Sequence, residues 1–182
     1  MKILAISGSL RTASNNTMLL RAVARLAPDG ISVELFRDLG NLPFFNPDIE
    51  YTNQPVVARF REQLKAADAV LIASPEYAHG LTGAMKNALD WMVGCEVFVN
   101  KPVALLNASP RATHAQASLK ETLSMMSASI IEEASIAIPI LGSKLDEDGV
   151  ISHPEISGSL RQMLLTMQRC LPDNCDNGLQ SS

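Results

Sequence analysis

Short aliphatic runs alternate with longer amphipathic segments along this chain. The runs predict strands over residues 3–6, 31–36, 69–73, 102–106 and 136–140. Residues 69–73 are apolar throughout, which is typical of a strand buried on both faces of a parallel sheet. Residues 31–36 alternate apolar and polar side chains, which favours a position near the edge of the sheet. The segments between the runs therefore decide how the strands connect.

Each predicted strand is followed by a segment with apolar residues at helical spacing. These segments predict helices over residues 16–26, 56–67, 83–93, 115–126 and 156–170. Parallel strands joined by helices need right-handed crossovers, which place helices on both faces of the sheet. The predicted fold is therefore α/β, a three-layer sandwich with a five-stranded parallel sheet in the order 2-1-3-4-5.

The length of 182 residues suits one domain with an ordinary hydrophobic core. Residues 1–172 are predicted to form that domain. Residues 173–182 are almost entirely polar and show no periodicity, so they are expected to be a disordered tail.

Composition and charge argue against several classes of function. The formal net charge is −4 and the basic residues are scattered singly, so no nucleic-acid partner is expected. Cys95, Cys170 and Cys175 have neither disulfide-framework nor zinc-ligand spacing, and no metal site is predicted. The first apolar run, residues 3–6, is too short for a signal peptide, and no apolar run approaches membrane-spanning length. Together with a cysteine pattern that favours a reducing cytosol, this leads us to expect a cytoplasmic protein. No G-x-S-x-G motif supports a serine hydrolase.

The loop between the first strand and the first helix concentrates polar donors. It contains Ser9, Arg11, Ser14, Asn16 and Thr17, beside the free N–H groups of a helix start. Hydroxyls, amides and one guanidinium can bind a phosphate monoester without a metal. The loop lacks both G-x-G-x-x-G and the Walker motif, which disfavours a dinucleotide or a nucleoside triphosphate. The alternative is that one serine or asparagine caps the helix and the other polar groups are solvated.

A second polar loop follows the third strand. It begins with Ser-Pro-Glu-Tyr at residues 74–77 and leads into the third predicted helix. In a sheet of this order, strands one and three are neighbours at the point where the winding direction changes, and ligands usually bind there. Both loops are therefore expected to face the same ligand.

Three spaced motifs in these two loops resemble a known family. The motifs are Gly8-Ser9-Leu10-Arg11-x-x-Ser14-x-Asn16, Pro75-Glu76-Tyr77 and Gly83-x-x-Lys86-Asn87-Ala88-x-Asp90-Trp91. Together they resemble the NADPH-dependent FMN reductase family, which includes quinone, chromate and azo-dye reductases. Residues 144–149, which are expected to form a solvated acidic turn, resemble a loop of this family after its fifth strand. The resemblance therefore covers most of the chain.

The resemblance implies a flavodoxin-like fold and an FMN-binding domain over residues 1–172. The cofactor contacts would be Ser9, Arg11, Ser14, Asn16, Thr17, Pro75, Glu76, Tyr77, Ala78 and Ser109. The first five would surround the FMN phosphate, and residues 75–77 would lie along the isoalloxazine and ribityl groups. Ser109 would contact the flavin. At Ala78 the family usually has asparagine, so a side-chain hydrogen bond to FMN is expected to be missing. No residue is predicted to be catalytic, because the flavin itself accepts the hydride.

By the same resemblance, the chain would be an FMN-dependent oxidoreductase that takes hydride from NADPH or NADH. Its electrons would pass to a small acceptor such as a quinone, an azo dye or a metal oxyanion. The alternative is an FMN-binding electron carrier or sensor that does not oxidise NAD(P)H directly. Such carriers are usually more acidic than −4 over 182 residues, which favours the enzyme. A homodimer or homotetramer is expected, with the helix over residues 83–93 and its Trp91 as the contact surface.

Overall fold

The computed structural model describes residues 1–171 and contains one parallel sheet. Its strands are β1 (Lys2–Ser7), β2 (Ser32–Phe36), β3 (Ala69–Ala73), β4 (Pro102–Asn107), β5 (Ser129–Ile130) and β6 (Ile136–Ala137). They pair in parallel in the order β2-β1-β3-β4-β5, and β6 also pairs with β4. The predicted α/β fold and strand order are therefore confirmed. The predicted tail, residues 173–182, lies outside the described residues.

Helices cover both faces of this sheet. They are α1 (Asn15–Leu26), α2 (Pro55–Ala66), α3 (Gly83–Val93), α4 (Thr113–Met125), α5 (Glu147–Ser152) and α6 (Pro154–Arg169). Because alternate strand residues point to opposite faces, Ile3 and Leu71 pack with α1 and α6, while Leu4 and Ile72 pack with α2, α3 and α4. The sheet is thus the middle layer of a flavodoxin-like sandwich. None of the helices within residues 1–171 is long and apolar enough to cross a bilayer.

Two side-chain caps fix the starts of the helices that follow β1 and β3. Ser14 Oγ accepts a hydrogen bond from the Thr17 N–H at 3.3 Å, and α1 starts there. Thr82 Oγ1 accepts from the Met85 N–H at 3.2 Å and donates to the Gly8 carbonyl oxygen at 2.7 Å. A side-chain cap of this kind stabilises a helix by about 1 kcal/mol. The second cap also ties the start of α3 to the loop after β1.

The strand predicted over residues 136–140 is shorter in the structure, and two short strands, β5 and β6, pair with β4 in its place. β5 pairs with the first residues of β4 and β6 pairs with its last residues, with a 3-10 turn over Glu132–Ala134 between them. Beyond Ile136–Ala137, the Ile140 N–H bonds the carbonyl oxygen of Ile138 at 2.8 Å, and this tight turn ends the strand. Both isoleucines are buried. The apolar pattern therefore located a buried segment correctly but overestimated the length of its strand.

The expectation of a solvated turn over residues 144–149 is wrong for the second half of this segment, because α5 begins at Glu147. Asp146 caps α5 through its side chain. Glu147 accepts hydrogen bonds from Arg21 at 2.8 Å and from Arg25 at 3.0 Å. These bonds, above all the one from Arg21, hold the pKa of the Glu147 carboxyl below its ordinary value. The acidic segment is therefore docked against α1 instead of being solvated throughout.

Trp91 packs inside the chain. It is 6% exposed, and its indole N–H donates to the Pro43 carbonyl oxygen at 2.7 Å. Phe45 packs edge-on against it, with ring centroids 5.2 Å apart. The expectation that Trp91 lies on a contact surface between subunits is therefore wrong, because residues 43–45 of its own chain cover it. Phe44, at the middle of that covering segment, is 91% exposed.

Candidate functional site

Three loops meet around one cavity at the carboxyl ends of β1, β3 and β4. The cavity has a volume of about 340 Å³, which is within the range of small-ligand sites. The predicted cofactor contacts that line it are Ser9, Arg11, Ser14, Asn16, Pro75, Glu76, Tyr77 and Ser109. Because β1 and β3 are neighbours in the sheet, this is the crevice in which open α/β sheets usually bind ligands. The fold therefore brings most of the predicted residues together.

The start of α1 gives this cavity a group of unused hydrogen-bond donors. The N–H groups of Asn15 and Asn16 have no acceptor within residues 1–171, as is usual in a first helical turn. Arg11 is exposed on the same loop, and its guanidinium has no partner in that part of the chain. A phosphate placed here would meet N–H donors, the positive end of the α1 dipole and a cation. This loop can therefore hold a phosphate monoester.

Asn16 joins two walls of the cavity. It is 6% exposed, and its Oδ1 accepts a hydrogen bond from the Ala108 N–H at 3.1 Å. Ala108 directly follows β4, whereas Asn16 lies in the first turn of α1. The bond fixes the loop after β4 against the start of α1. The side-chain oxygen of Asn16 is therefore used within the protein, and its backbone N–H and its side-chain Nδ2 group are left for a ligand.

Thr17 lies outside this lining and faces a larger, more open groove. Its Oγ1 is 2.6 Å from Ser7 Oγ, so its hydroxyl is bonded to the end of β1. The groove has a volume of about 1150 Å³ and runs along β2 between α1 and α2. Of the four arginines that line it, Arg21, Arg25 and Arg59 are already paired with carboxylates, whereas Arg37 is not. The smaller cavity, with its unused donors, is therefore the better candidate for an anionic ligand.

Ala78 also lies outside the lining, at the tip of a tight turn. The backbone φ angles of Ala78 and His79 are 49° and 58°. Tyr77 and Gly80 close the turn, with the Gly80 N–H donating to the Tyr77 carbonyl oxygen at 3.0 Å and the Tyr77 N–H donating back at 3.2 Å. Positive φ at both central residues is the geometry of a type I′ turn, for which asparagine and glycine are preferred. The missing hydrogen bond to FMN at Ala78 stays a prediction.

Glu76 caps α4 from a different loop. Its Oε2 accepts a hydrogen bond from the Ala115 N–H at 2.9 Å, in the first turn of α4. The residue that precedes α4, Ala112, has no side chain that could do so. The Ala115 N–H is the main reason why the pKa of Glu76 lies below its ordinary value, and the His114 N–H acts in the same direction. The carboxylate therefore stays ionised and ties the loop after β3 to the start of α4.

We expect Glu76→Gln to lower the melting temperature at neutral pH, because a neutral amide caps a helix less strongly than a carboxylate. Since the pKa of Glu76 is lowered in the folded state, its contribution is complete above the ordinary pKa and is lost as the pH falls through the lower, folded value. The difference in melting temperature between the two proteins should therefore shrink in acid. Melting curves from neutral to acid pH measure it, with Glu62→Gln on the exposed face of α2 as control. A difference that does not change with pH contradicts the capping role.

Several cavity residues could not be identified from the sequence. The additional lining residues are Ala13, Asn15, Asn107, Ala108, Arg111, Ala112 and Leu141. The alanines carry no chemical group that a motif could single out, and they contribute because their backbone passes the cavity. Leu141 is far along the chain from the other loops and is 58% exposed. The usable signal was the position of residues 107–112 at the carboxyl end of the predicted fourth strand.

The donors and walls of this cavity fit FMN. Its lining includes the unused N–H groups of α1 and the side chain of Arg11, which suit a phosphate monoester. It also includes Pro75 and Tyr77, whose ring is 51% exposed and can lie against a flat ligand. Residues 1–171 contain no group of three or more side chains that could hold a metal ion. N–H groups and a guanidinium are therefore the groups that would neutralise the phosphate.

A flavodoxin-like sandwich whose loop after β1 offers donors for a phosphate, and whose loop after β3 carries an exposed aromatic ring, is typical of flavin-mononucleotide proteins. The sequence model of the NADPH-dependent FMN reductase family matches residues 1–141. The chain therefore belongs to that family, and it is an NAD(P)H-dependent oxidoreductase of the FMN reductase type. The prediction made from the three spaced motifs is confirmed.

Individual relatives match along nearly the whole chain. The chain is 35% identical over 173 residues to an NAD(P)H-dependent FMN reductase of Pseudomonas aeruginosa, a match covering 92% of this chain and 93% of the relative. It is 33% identical over 177 residues to an NAD(P)H:quinone oxidoreductase of Solanum tuberosum, covering 92% and 91%. Among solved structures, the flavoenzyme FerB of Paracoccus denitrificans, an NAD(P)H:(acceptor) oxidoreductase, matches with a TM-score of 0.79. That match has 27% identity over 92% of this chain and 97% of the other.

Proposed function

We propose that this protein holds FMN in the cavity formed by the three loops, reduces it with NADPH or NADH, and passes the electrons to a quinone. The observation that carries the proposal is that unused phosphate donors and an exposed aromatic wall line one cavity beside the switch point between β1 and β3. Relatives named as an FMN reductase and as a quinone oxidoreductase support it. A cytoplasmic location is proposed with this function.

The phosphate would bind at the first turn of α1. Ser14 Oγ already accepts from the Thr17 N–H, so its own hydroxyl proton remains available to a ligand. Ser9 Oγ accepts from the Arg11 N–H at 3.4 Å, so the hydroxyl proton of Ser9 is available to a ligand as well. The two hydroxyls, the unused N–H groups and the Arg11 guanidinium would together surround the phosphate oxygens.

The ring would lie against the loop after β3. When bound, FMN supplies a ring system that accepts a hydride and releases two electrons. The Glu76 N–H has no acceptor within residues 1–171, so it can donate to a ring edge that gains negative charge. The Glu76 carboxylate does not oppose that charge directly, because it is bonded to the positive end of α4. Tyr77 and Ser109 would then position the ring from two sides.

Self-association as a homodimer or homotetramer belongs to the same proposal. Phe44 is 91% exposed, although its neighbours are held in place. Asn87 Nδ2 donates to the Pro43 carbonyl oxygen at 3.0 Å, and Asn87 Oδ1 accepts from the Phe45 N–H at 2.8 Å. An aromatic side chain fixed in solvent is favourable to bury in an interface. We expect the wild type to sediment as a dimer or tetramer and Phe44→Asp as a smaller species, whereas a monomeric wild type contradicts the proposal.

Anaerobic reduction by NADPH tests the enzymatic function. The visible spectrum of FMN-loaded protein is recorded while NADPH is added, with free FMN at the same concentration as control. We expect the yellow absorption of oxidised flavin to disappear rapidly in the protein sample only, because the protein would hold the nicotinamide and flavin rings in contact. Subsequent addition of a quinone should restore the yellow spectrum.

The outcome also separates the enzyme from the carrier. A yellow spectrum that persists with excess NADPH contradicts direct NAD(P)H oxidation. If chemically reduced protein is then reoxidised by the quinone, the electron-carrier alternative accounts for both results. If FMN does not bind at all, the assignment of the cavity is wrong.

A further inference from the structure

The groove along β2 contains a cation that the proposed FMN site does not use. Arg37 directly follows β2, is exposed, and lines this groove of about 1150 Å³. Its guanidinium has no partner within residues 1–171, whereas the three other arginines of the groove are paired with carboxylates. Arg37 is therefore the arginine of the groove that is available to an anionic ligand.

The carboxylates that line the same groove have other partners. Asp38 accepts a hydrogen bond from Arg59 at 2.7 Å, and Glu147 accepts from two arginines of α1. Glu34 accepts from Gln63 Nε2 of α2 at 3.2 Å. Each carboxylate is thus held by a side chain other than Arg37. None of the three is bonded to Arg37, so none of these bonds has to break when a ligand binds there.

The groove is continuous with the side of the molecule proposed to bind the flavin. Ser9 lines both the groove and the cavity proposed for FMN. Leu10 lines the groove and also a small chamber that is shared with Tyr77. The Leu10 side chain lies over the turn after β2, because its Cδ2 atom would be 3.1 Å from a Cβ atom added to Gly40. A path therefore leads from Tyr77 across Leu10 into the groove.

The order of the strands sets the length of this path. Phe36 of β2 and Ile72 of β3 both pair with Ile6 of β1, so the carboxyl ends of the three strands are level. Neighbouring strands are about 4.8 Å apart, which places the ends of β2 and β3 about 10 Å from each other. A ligand that contacts both Tyr77 and Arg37 must therefore be extended. A dinucleotide has this form, because a pyrophosphate separates its two nucleosides.

We propose that the groove binds the adenosine end of the hydride donor and that Arg37 binds the 2′-phosphate, which selects NADPH over NADH. The inference rests on the proposed function, because a hydride donor is needed only if FMN is reduced. A phosphate monoester carries close to two negative charges at neutral pH, and a guanidinium can bind two of its oxygens at once. NADH has a neutral hydroxyl at the same position. Arg37 would therefore stabilise bound NADPH much more than bound NADH.

Binding of the oxidised coenzymes to oxidised, FMN-loaded protein measures this preference. NADP⁺ and NAD⁺ cannot reduce the flavin, so titration calorimetry reports binding alone. We expect wild type to bind NADP⁺ at least about tenfold more tightly than NAD⁺. Arg37→Ala should weaken NADP⁺ about tenfold and keep NAD⁺ and FMN within about twofold of wild type. Arg161→Ala removes an exposed cation of α6 that does not line the groove, and it should change none of the three affinities.

Adenosine 2′,5′-bisphosphate tests the groove without a nicotinamide ring. We expect it to bind wild type, to compete with NADP⁺, and to bind Arg37→Ala about tenfold more weakly. Arg37→Lys should restore only part of the affinity, because an ammonium keeps the charge but not the paired hydrogen bonds. Added salt should weaken NADP⁺ more than NAD⁺, since the preference depends on charge.

Several outcomes would overturn the inference. Equal affinity of wild type for NADP⁺ and NAD⁺ does so, and so does an equal loss of both coenzymes from Arg37→Ala, because Arg37 would then support the loop instead of the 2′-phosphate. A preference that disappears in Arg111→Ala and persists in Arg37→Ala would place the 2′-phosphate at the loop after β4. Failure of NADPH to bleach wild-type protein would contradict the proposed function instead, because coenzyme binding to oxidised protein is measured without any reduction.

Discussion

Replacement of Arg11 by alanine is expected to weaken FMN binding about 30-fold and to leave riboflavin binding nearly unchanged. A hydrogen bond to a charged group contributes about 2 kcal/mol, which corresponds to that factor in affinity. Riboflavin has the same ring and ribityl chain but no phosphate, so it should not depend on the guanidinium. Arg11 is exposed and has no partner within residues 1–171, so its removal leaves the fold intact. Titration of the apoprotein with each flavin, followed by flavin fluorescence, measures both affinities.

Arg111 provides a matched control for this result. It lines the same cavity and is also exposed, but it lies on the loop after β4 and not on the loop that leads into α1. We therefore expect Arg111→Ala to change FMN affinity less than Arg11→Ala. If Arg111→Ala weakens FMN and spares riboflavin, the loop after β4 and not the loop after β1 supplies the cation for the phosphate. If Arg11→Ala weakens both flavins equally, Arg11 supports the ring or the loop instead of the phosphate.

The fold could be predicted closely because burial patterns in this chain are strong. A fully apolar run such as Ala69–Ala73 is 0% exposed at every position, and its central place in the sheet follows from that pattern. The fifth strand was harder to predict. Only two short segments pair with β4 there, and the buried isoleucines that follow lie in a turn instead of a strand. α5 was not predicted, since it has only six residues and its contacts with α1, among them the ion pairs of Glu147 with Arg21 and Arg25, join distant segments. Contacts between distant segments of this kind leave no periodic signal.

The candidate site could be predicted only in part, for a similar reason. The motifs correctly indicated that the loops after β1 and β3 line one cavity, because each motif is local in sequence. Whether a side chain points into the cavity depends on its other bonds. Thr17 is held by Ser7, Asn16 binds the loop after β4, and Glu76 caps α4. These roles became visible only when residues far apart in sequence were placed side by side.

Gly8 lies where the loops after β1 and β3 are in direct contact. Its N–H donates to the Ala73 carbonyl oxygen at 2.8 Å, and its carbonyl oxygen accepts from Thr82 Oγ1 at 2.7 Å. A Cβ atom added to Gly8 would lie 2.2 Å from Ser74 Oγ and 2.7 Å from Ser74 Cβ. Such contacts cannot be accommodated without moving backbone. The absence of a side chain at Gly8 therefore sets the spacing between the phosphate loop and the loop that carries Tyr77.

Gly8→Ala is accordingly expected to lower the free energy of unfolding by about 2 kcal/mol and to weaken FMN binding strongly, because overpacking forces the two loops apart. Urea denaturation and a flavin titration measure the two effects. Gly94→Ala is the matched control, since an added Cβ there meets no atom within 4 Å. The double variant Gly8→Ala with Ser74→Gly should recover part of both losses, because it removes the two nearest clashing atoms. Wild-type stability of Gly8→Ala, or no recovery in the double variant, would show that this contact does not set the spacing. A loss of FMN affinity without a loss of stability would locate the effect in the phosphate loop alone.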